Sequence, residues 1–595
     1  MFVQQRDINT LLIDSWSDIE DEEIKKASVI LLVYDVNNNE TKRRLDSYWL
    51  PKLTELTADK WIPIILVGNK IDIRPNHFDN ELEGLITPLI MKFKQIEMGI
   101  EWSAKAYLKL IDVIFWAQRA VLFPIAPLQD PITKELMPDF EKALLRIFRM
   151  CDKDCDGYLD ELEIADINST VFSTELQSTH IEGLKQFLAQ ECGEDKYSRE
   201  DIKKGINFEA FKYLQTIYIK QMKLQMWWML LEHFGYDENL RVFSKHLVQP
   251  QVKHQEAEEK WEGVELTYET VKYLSDLYDN YCNQDGNMYQ NDVETLFMTY
   301  PKGTPWNIEN ETKVDNHGWV DKKNWIGLWQ KEFSIDYEKA YEMMIYLGYI
   351  NSFGETIQPK INTRIRSIQK PSKSCVFNWY VVGYSSVGKT SFLEMLVKQK
   401  FDEEEKGEYD KINWVVSSIQ NNQIDRYLIL TKIDHDNIDD TFNDDRMVRY
   451  WDCICIMYDG SDASAQYIKD ISLKLPNHIP KVVIRAKFDL PSRNLDVPVQ
   501  EIAEEVKTSQ FIEISNKSLP KTKEAVDLIL DTAINPSKGL EKSVVEKLSE
   551  EFAIQKNREK NKILLLSFSG IVVTSALAYA SYKKGWIQGL FKLLQ

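Results

Sequence analysis

The chain has 595 residues, a length that suits about three to five domains. Its hydrophobic content of 44% and aromatic content of 11% can bury several cores and exclude an intrinsically disordered protein. The formal net charge of −20 argues against nucleic acid as a partner and suits a cytosol-facing protein that binds cations. Seven scattered cysteines predict no disulfide framework, and the alternating pair Cys453 and Cys455 is expected to be buried.

Residues 1–120 alternate strand-like and helical patterns, which predicts a parallel sheet of the βαβ type. The predicted strands are INTLLID, ASVILLVYDV and WIPIILVGNKID, and the third ends in GNKID at residues 68–72. A strand followed by Asn-Lys-x-Asp is how small GTPases read guanine, and EWSAK at residues 101–105 supplies the Ser-Ala-Lys that normally follows. The predicted base contacts are Asn69, Lys70, Asp72, Ala104 and Lys105.

No phosphate loop of the form GxxxxGK[ST] stands before this base reader in the sequence. The segment therefore matches a GTPase domain only from its second or third strand onward. Two explanations are open: a truncated gene model or alternative start, and a degenerate pseudo-GTPase. Under either explanation, we expect residues 1–120 of this chain to bind GTP poorly.

Residues 152–163, DKDCDGYLDELE, fill every position of an EF-hand calcium loop. Gly157 permits the sharp turn, and Leu159 is expected to pair with GINFEAF at Ile206. A solvated acidic turn is the alternative, but it does not explain why twelve positions fall in register. The predicted calcium ligands are Asp152, Asp154, Asp156, the Tyr158 carbonyl, Asp160 and Glu163.

The helical region from 130 to 355 also repeats internally. The pair GINFEAF and HFGYD has its glycines 30 residues apart, and so does the pair GWVDKKNW and YLGYI, which suggests a duplicated module. The second module contains a loop around Gly286 that keeps Asn283 and Asp285. Tyr281 and Asp292 occupy its first and twelfth positions, so a structural role is favoured over calcium binding.

A complete phosphate loop, GYSSVGKT, lies at residues 383–390, between a predicted strand and a predicted helix. Backbone N–H groups and the helix N-terminus would hold phosphate. Lys389 would neutralise phosphate charge and Thr390 would ligate Mg²⁺, so these two residues are the predicted catalytic groups. The predicted phosphate-loop contacts are Gly383, Ser386, Val387, Gly388, Lys389, Thr390 and Ser391.

A second base reader follows this loop, as AKFD at residues 486–489 and SNK at residues 515–517. Ala486 replaces the usual Asn, which predicts weaker guanine selectivity. The usual Asp-x-x-Gly-Gln segment is not apparent, and the matching strand offers Lys432 or a displaced Asp434, so slow hydrolysis is expected. The predicted base contacts are Lys487, Asp489, Ser515 and Lys517.

Residues 563–582, ILLLSFSGIVVTSALAYASY, carry no charge over 20 residues, enough to cross one bilayer core as a helix. Lysines and arginines flank the segment, which favours the mitochondrial outer membrane. Residues 356–374 resemble a linker, residues 536–562 a charged stalk, and residues 583–595 a short tail. The expected domains are a truncated Rho-like GTPase domain (1–120), two EF-hand modules (135–240 and 255–355) and a C-terminal GTPase domain (375–535).

This order of motifs resembles the mitochondrial Rho GTPase (Miro) family, through GNKID, EWSAK, DKDCDGYLDELE, HFGYD, GYSSVGKTS, AKFDL and the final apolar segment. The resemblance implies two P-loop small-GTPase-like α/β domains, the first truncated, that flank paired EF-hand helical modules and precede one transmembrane helix. It implies a tail-anchored, calcium-binding GTPase that controls mitochondrial transport, morphology and distribution.

The same resemblance implies GTP or GDP, Mg²⁺ and Ca²⁺ as cofactors. The implied partners are motor adaptors with the kinesin and dynein machinery, or membrane-contact-site proteins. One alternative is a non-hydrolysing calcium-binding scaffold in which both GTPase folds are docking surfaces. An ATP-using P-loop protein is a further alternative, against which AKFD argues.

Overall fold

A computed structural model describes residues 10–13, 21–58, 62–74, 81–242 and 261–554, apart from short gaps at 126, 131–132, 134, 221–223, 238, 315–316, 362–366, 369, 402–412, 422–423, 444–447, 491–496 and 552. Its contacts divide the chain into two compact units. The first comprises residues 1–248, 296–304 and 343–350, and the second comprises residues 249–295, 305–342 and 351–595.

The first unit begins with a three-stranded parallel sheet, as the alternating pattern predicted. Its order is β1-β2-β3, and the central strand is buried because helices cover both faces. The strands are β1 (Ile30–Asp35), β2 (Ile64–Asn69) and β3 (Ile96–Glu101). The helices are α1 (Asp21–Lys26), α2 (Asn39–Arg44), α3 (Leu50–Leu56), α4 (Glu81–Lys92) and α5 (Leu110–Leu122).

The predicted strand INTLLID is not found in the part of it that the structure describes. Residues 10–13 have no strand assignment, and the side chains of Leu11, Leu12 and Ile13 are 83%, 67% and 62% exposed. Within the described residues β1 pairs with β2 alone, and Val33 on β1 is 52% exposed. A strand requires a hydrogen-bonded neighbour, and residues 10–13 have none in the described sheet.

The first helical module follows the sheet and packs around Phe140, Leu144, Ile147 and Leu231. Its helices are α6 (Pro138–Cys151), α7 (Glu161–Phe172), α8 (Ser178–Glu191), α9 (Arg199–Lys204), α10 (Phe208–Lys220) and α11 (Leu224–His233). Two short strands, β4 (Tyr158–Leu159) and β5 (Ile206–Asn207), pair antiparallel, with Leu159 opposite Ile206. The predicted pairing of the calcium loop with GINFEAF is confirmed.

The second helical module repeats this plan. Most of it belongs to the second unit, whereas its residues 296–304 and 343–350 belong to the first. Its loop bridges to GWVDKKNW through Met288 and Val320, as the first loop does through Leu159. The helices are α12 (Tyr268–Tyr281), α13 (Gln290–Leu296), α14 (Ile308–Glu311), α15 (Lys322–Ile335), α16 (Tyr337–Tyr346) and α17 (Phe353–Thr356).

The expected linker over residues 356–374 is wrong at its start. Strand β6 (Trp261–Leu266) pairs antiparallel with β7 (Ile357–Ile361). Within β7, the Lys360 ammonium is buried and donates to the Val376 carbonyl and to Asp452, which offsets the cost of burying its charge.

The C-terminal domain holds a six-stranded sheet with the order β13-β12-β11-β8-β10-β9, parallel throughout except for the antiparallel pair β9–β10. Its strands are β8 (Val376–Gly383), β9 (Trp414–Asn421), β10 (Ile424–Lys432), β11 (Cys453–Tyr458), β12 (Lys481–Arg485) and β13 (Phe511–Glu513). Its helices are α18 (Lys389–Lys398), α19 (Ile438–Asn443), α20 (Asp462–Ser472), α21 (Val499–Glu505) and α22 (Leu519–Ile534). Cys453 and Cys455 are fully buried in β11, as expected.

The outer edge of this sheet, strand β9, is covered by the second module. Thr312 forms a bridge with Val416 and its hydroxyl donates to the Val416 carbonyl at 3.2 Å. From α15, Asn324 accepts the Ser418 hydroxyl at 2.7 Å, and the Lys331 ammonium lies 3.0 Å from the Trp414 ring centre. The second module and the C-terminal domain are therefore joined along a strand.

The predicted membrane segment, 563–582, and the tail after it lie outside the described residues, as does the end of the predicted stalk. Among the described residues, no helix is both long and apolar enough to cross a membrane.

Candidate functional site

Strand β8 delivers the chain into a tight loop before α18. At Gly383, φ is +159° and an added Cβ would lie 2.2 Å from the Met457 carbonyl oxygen, so only glycine fits. Ser386 and Gly388 also have positive φ values, of 58° and 106°. These backbone angles form a tight loop directly before the N-terminus of α18. A tight loop before a helix N-terminus can bind phosphate through its backbone N–H groups.

The side chain of Lys389 closes this loop. It is 7% exposed, and its ammonium donates to the carbonyls of Gly383 and Tyr384. Burial lowers the pKa of Lys389 to about 8, which the Asp434 carboxylate opposes and the Lys432 ammonium reinforces. An anionic phosphate would replace the two carbonyls as the partner of this ammonium.

The other predicted phosphate-loop residues lie on the same loop and helix. Val387 is buried beneath it, whereas Thr390 and Ser391 lie in the first turn of α18. Side-chain hydroxyls in that turn are placed beside the N–H groups that the loop presents.

The base reader of the C-terminal domain lies next to the phosphate loop. Lys487 has a left-handed backbone, with φ of 55°, and its ammonium donates to the Ser386 carbonyl and to Asp459. Desolvation opposes ionisation of Asp459, but hydroxyls of Ser461 and Ser464 and the Lys487 ammonium lower its pKa to about 2. Lys487 therefore ties the base loop to both the phosphate loop and the end of β11.

The remaining predicted base contacts surround this lysine. Asp489 is exposed, two residues after Lys487. Ser515 accepts the Lys517 backbone N–H at 3.2 Å, and the Lys517 ammonium lies 5.3 Å from the Phe401 ring centre. An exposed carboxylate can accept the N–H groups of a bound ligand.

Sequence reasoning missed two residues at this site, Asp459 and Asn516. The ending Tyr-Asp, shared by VYD at Asp35 and MYD at Asp459, was the available signal for the first. Asn516 is 5% exposed and donates to the Gly388 carbonyl at 2.9 Å, a contact between segments 128 positions apart.

The first sheet carries a base reader of the same geometry. Lys70 has φ of 67°, and its ammonium lies 2.7 Å from the Asp35 carboxylate, which lowers the Asp35 pKa. Asn69 accepts the Ala104 backbone N–H at 3.2 Å, and the Ser103 hydroxyl donates to Asp72 at 2.6 Å.

Among the predicted base contacts of this sheet, Asn69, Lys70, Asp72 and Ala104 therefore converge on one edge of the sheet. Lys105 lies in the exposed turn after Ala104.

The predicted calcium loop brings three carboxylates together. Single oxygens of Asp152, Asp154 and Asp156 all lie within 4.8 Å of one another. Desolvation, and after it the charges of Glu163 and Asp156, raises the Asp152 pKa to about 6. Ca²⁺ prefers oxygen ligands such as carboxylates, and its positive charge offsets the repulsion between them. These residues therefore fit the ion.

The other loop positions frame this cluster. Asp160 caps α7 by accepting the Glu163 backbone N–H, while Glu163 accepts the backbone N–H groups of Asp160 and Lys153. Gly157 has φ of 83°, and Tyr158 lies on β4, with its hydroxyl donated to Asp201.

The corresponding loop of the second module differs. Tyr281, at the first ligand position, is the last residue of α12. The Asn283 side-chain oxygen accepts the backbone N–H groups of Asp285 and Asn287, at 3.0 and 2.9 Å, and Asp292 accepts that of Tyr289. The first loop makes hydrogen bonds of the same kind, so the difference between the loops is Tyr281, which offers no carboxylate at the first position. This difference agrees with a structural role.

The position of the expected Mg²⁺-side carboxylate holds a lysine. Strand β10 ends at Lys432, whose side chain is 5% exposed and whose ammonium lies 3.4 Å from the Asp434 carboxylate. Thr390 and Asp434 supply oxygens of the kind that Mg²⁺ prefers, whereas the buried Lys432 ammonium beside Asp434 opposes a cation. The residues therefore fit Mg²⁺ only in part.

Comparisons with known proteins agree with this geometry. The Ras family model matches residues 13–121 and 378–535, and the model described as EF hand associated matches residues 174–269. The chain is 28% identical over 495 residues to Mitochondrial Rho GTPase 1 of Arabidopsis thaliana, covering 81% of this chain and 74% of that protein. It is 27% identical over 547 residues to Mitochondrial Rho GTPase 2 of the same plant, covering 88% and 82%.

A fungal relative gives the same result. Mitochondrial Rho GTPase 1 of Cryptococcus neoformans is 29% identical over 513 residues, which covers 78% of this chain and 74% of the relative.

Two Ras-family domains that flank an EF-hand-associated helical region define a multidomain protein of the small-GTPase class. The chain is homologous, over about four fifths of its length, to the mitochondrial Rho GTPases. The family predicted from its motifs is therefore confirmed.

Proposed function

We propose that this protein is a calcium-binding GTPase of the mitochondrial outer membrane, whose C-terminal domain binds and hydrolyses GTP. The observation that carries the proposal is the contact of Lys487 with the Ser386 carbonyl, which joins a base reader to a complete phosphate loop. Relatives named Mitochondrial Rho GTPase support the activity and the organelle.

In this proposal different residues of the C-terminal domain bind the phosphates and the base of the nucleotide. The N–H groups of residues 383–390 and the Lys389 ammonium hold the phosphates, while Asp489 accepts from the guanine N–H edge. Mg²⁺, when bound, would screen phosphate charge, and the Thr390 hydroxyl and the Asp434 carboxylate would hold it. Lys432 adds a positive charge on the same side of the loop.

The proposal places the nucleotide in the domain that carries both parts of the site. Residues 375–535 contain the phosphate loop together with a base reader, and we assign them as the nucleotide-binding domain. Residues 1–120 carry the predicted base contacts from Asn69 to Ala104 and are assigned as a GTPase-like domain.

The first EF-hand loop is assigned to calcium, through Asp152, Asp154, Asp156, the Tyr158 carbonyl, Asp160 and Glu163. Two observations support this assignment: three carboxylate oxygens lie within 4.8 Å of one another, and desolvation, with the charges of Glu163 and Asp156, raises the Asp152 pKa to about 6. The EF-hand modules occupy residues 135–240 and 255–355 in this assignment, and only the first binds the ion.

The membrane and the partners complete the proposal. Residues 563–582 form the single anchor, after a stalk at 536–562, and the bulk of the chain faces the cytosol. The partners are motor adaptors or membrane-contact-site proteins, and the process is mitochondrial transport, morphology and distribution. Because Lys432 stands at the Mg²⁺ side, a non-hydrolysing calcium-binding scaffold is the second candidate.

The test is the nucleotide content of the purified chain, followed by single-turnover hydrolysis of GTP. We expect one guanine nucleotide per chain, lost in Lys389→Ala, and hydrolysis in the wild type that exceeds the rate in that variant. A chain that binds GTP but hydrolyses it no faster than Lys389→Ala is the scaffold. A chain without guanine nucleotide refutes the GTPase proposal.

A further inference from the structure

The two base readers of this chain differ by an exchange of one Asn and one Ala. In the first sheet, Asn69 ends strand β2 and Ala104 lies in the loop after β3. In the C-terminal domain, Ala486 follows strand β12 and Asn516 lies in the loop after β13. The chain therefore contains its own reference for the arrangement with Asn on the strand.

A shared backbone hydrogen bond establishes that these positions correspond. In each domain the residue that follows the left-handed lysine donates its backbone N–H to a carbonyl in the loop after the next strand. That carbonyl belongs to the residue two positions before Ala104 in the first sheet and two positions before Asn516 in the C-terminal domain. In the first sheet this bond runs from Ile71 to the Trp102 carbonyl at 3.3 Å, and in the second from Phe488 to the Ile514 carbonyl at 3.1 Å. Asn69 thus corresponds to Ala486 by position, and Ala104 to Asn516.

Each asparagine joins two segments, but not the same two. Asn69 links the end of β2 to the loop after β3, whereas Asn516 links the loop after β13 to the phosphate loop. The Asn69 side-chain oxygen accepts the Ala104 N–H at 3.2 Å. Asn516 extends from the opposite loop, and its amide donates to the Gly388 carbonyl at 2.9 Å. The short side chain of Ala486 leaves room for this amide beside Gly388. A Cβ built on Gly388 would lie 2.9 Å from the Asn516 amide nitrogen and 3.9 Å from the Ala486 Cβ, so both residues approach the same point of the phosphate loop.

Asn516 also carries an unused acceptor. Its side chain is 5% exposed, and its oxygen is buried with no hydrogen-bond partner within the described residues. Buried amide oxygens are rarely left unpaired, so this one points to a donor that binds at the site. The N–H groups of a purine nucleotide are donors of the required kind.

We propose that Asn516 is a positioning residue of the nucleotide site, which replaces from the opposite loop the amide that Ala486 lacks. It holds the loop after β13 against the phosphate loop. That loop in turn holds the AKFD segment through the hydrogen bond from Phe488 to Ile514, so that Asp489 keeps its place at the guanine edge. Selectivity for guanine is therefore retained in spite of Ala486. This inference rests on the proposed binding of guanine nucleotide by the C-terminal domain.

The experiment compares four full-length chains: wild type, Asn516→Ala, Ala486→Asn, and the double variant with both changes. The dissociation constants of GDP and of inosine diphosphate, which lacks the guanine amino group, are measured for each chain. Melting without nucleotide shows whether each variant folds. Lys389→Ala identifies the signal that belongs to the C-terminal site.

We expect Asn516→Ala to weaken GDP binding by about tenfold or more and to reduce the preference for GDP over inosine diphosphate. The double variant should recover both to within about threefold of wild type, because it restores the arrangement of the first sheet. Ala486→Asn alone should bind more weakly than the double variant, since two amides then compete for one space.

Unchanged GDP binding in Asn516→Ala would overturn the inference, and so would a double variant that folds but recovers neither affinity nor preference. If Asn516→Ala does not fold, Asn516→Asp serves in its place, since it keeps the shape and loses the donor to Gly388. Wild-type affinity in that variant would also overturn the inference. A wild-type chain without GDP binding would refute the proposed function itself, and this outcome is seen before any variant is made.

Discussion

Each of the two compact units combines a GTPase-like sheet with an EF-hand loop. The complete sequence motif is the calcium loop in the first unit and the phosphate loop in the second. The first unit has the calcium loop at 152–163 and a base reader without a phosphate loop in the sequence before it. The second has the phosphate loop at 383–390, but Tyr281 ends a helix where the first calcium ligand should be.

In both units the predicted base contacts are held by hydrogen bonds and ion pairs between neighbouring strand ends. In the first sheet, Lys70 pairs with Asp35 and Ser103 with Asp72, all at the carboxyl ends of neighbouring strands. These contacts are made by residues of the sheet and its loops, so the geometry does not depend on a bound ligand.

The largest expected effect comes from the paired carboxylates Asp489 and Asp72. Asp489→Ala removes two charge-assisted hydrogen bonds to guanine and should weaken GDP binding by about 100-fold. Asp72→Ala should leave nucleotide content unchanged and lower the melting temperature, because the Ser103 hydroxyl loses its partner. A fall in nucleotide content for Asp72→Ala would show that the first sheet also binds nucleotide.

The twelfth positions of the two EF-hand loops give a second matched pair. Glu163→Gln should weaken Ca²⁺ binding on the order of 10- to 100-fold, because the loop loses a charged ligand. Asp292→Asn should leave calcium affinity and stoichiometry as in the wild type. Titration calorimetry with Ca²⁺ checks both, and two bound ions in the wild type would contradict the difference between the loops.

The pH dependence of nucleotide binding tests the state of Lys389. Its ammonium titrates at a pKa of about 8 in the free site, and an anionic phosphate favours the charged form. Above that pKa, binding must take up a proton, so GDP affinity should fall as pH rises, by at most about tenfold per pH unit. Lys389→Arg stays charged, so from pH 7 to pH 9.5 its GDP affinity should fall less than that of the wild type.

The smallest effect is expected at Glu311, where the second module meets strand β9. Desolvation raises the Glu311 pKa to about 8, and one carboxylate oxygen is buried and has no hydrogen-bond partner among the residues that the structure describes. The protonated form stabilises the fold, so this contribution is complete at acidic pH and is lost as pH rises to about 8. Glu311→Gln should raise the melting temperature at pH 8.5 by about 2–4 °C and change it little at pH 5.

The exposed neighbour Glu309 supplies the control for this measurement. Glu309→Gln should follow the wild-type pH profile. Equal effects of the two substitutions would show that burial of Glu311 does not govern the pH dependence.

Local patterns predicted most of the site. The phosphate loop, the calcium loop and the pairing of Leu159 with Ile206 follow from residues that are close in the sequence or share a known register. The strand INTLLID was wrong for the opposite reason, since an apolar segment becomes a strand only when a neighbour offers hydrogen bonds.

The contacts that no local pattern could reveal join distant segments. Asn516 contacts Gly388, which lies 128 positions away in the sequence. Ala486 alone predicted weaker guanine selectivity, because the sequence does not show that Asn516 lies beside the phosphate loop. Lys331 likewise meets the Trp414 ring only because α15 lies along β9. Such contacts depend on the order of strands in the sheet, which the sequence states only indirectly.

The covering of β9 by the second module has a consequence for recognition. An exposed sheet edge is a template for strand addition, by a partner peptide or by a second copy of the same chain. Thr312 already occupies that template at Val416, and Asn324 holds Ser418 beside it. Any protein that distinguishes the nucleotide states of the C-terminal domain must therefore read a different surface, or first displace the EF-hand module from the strand.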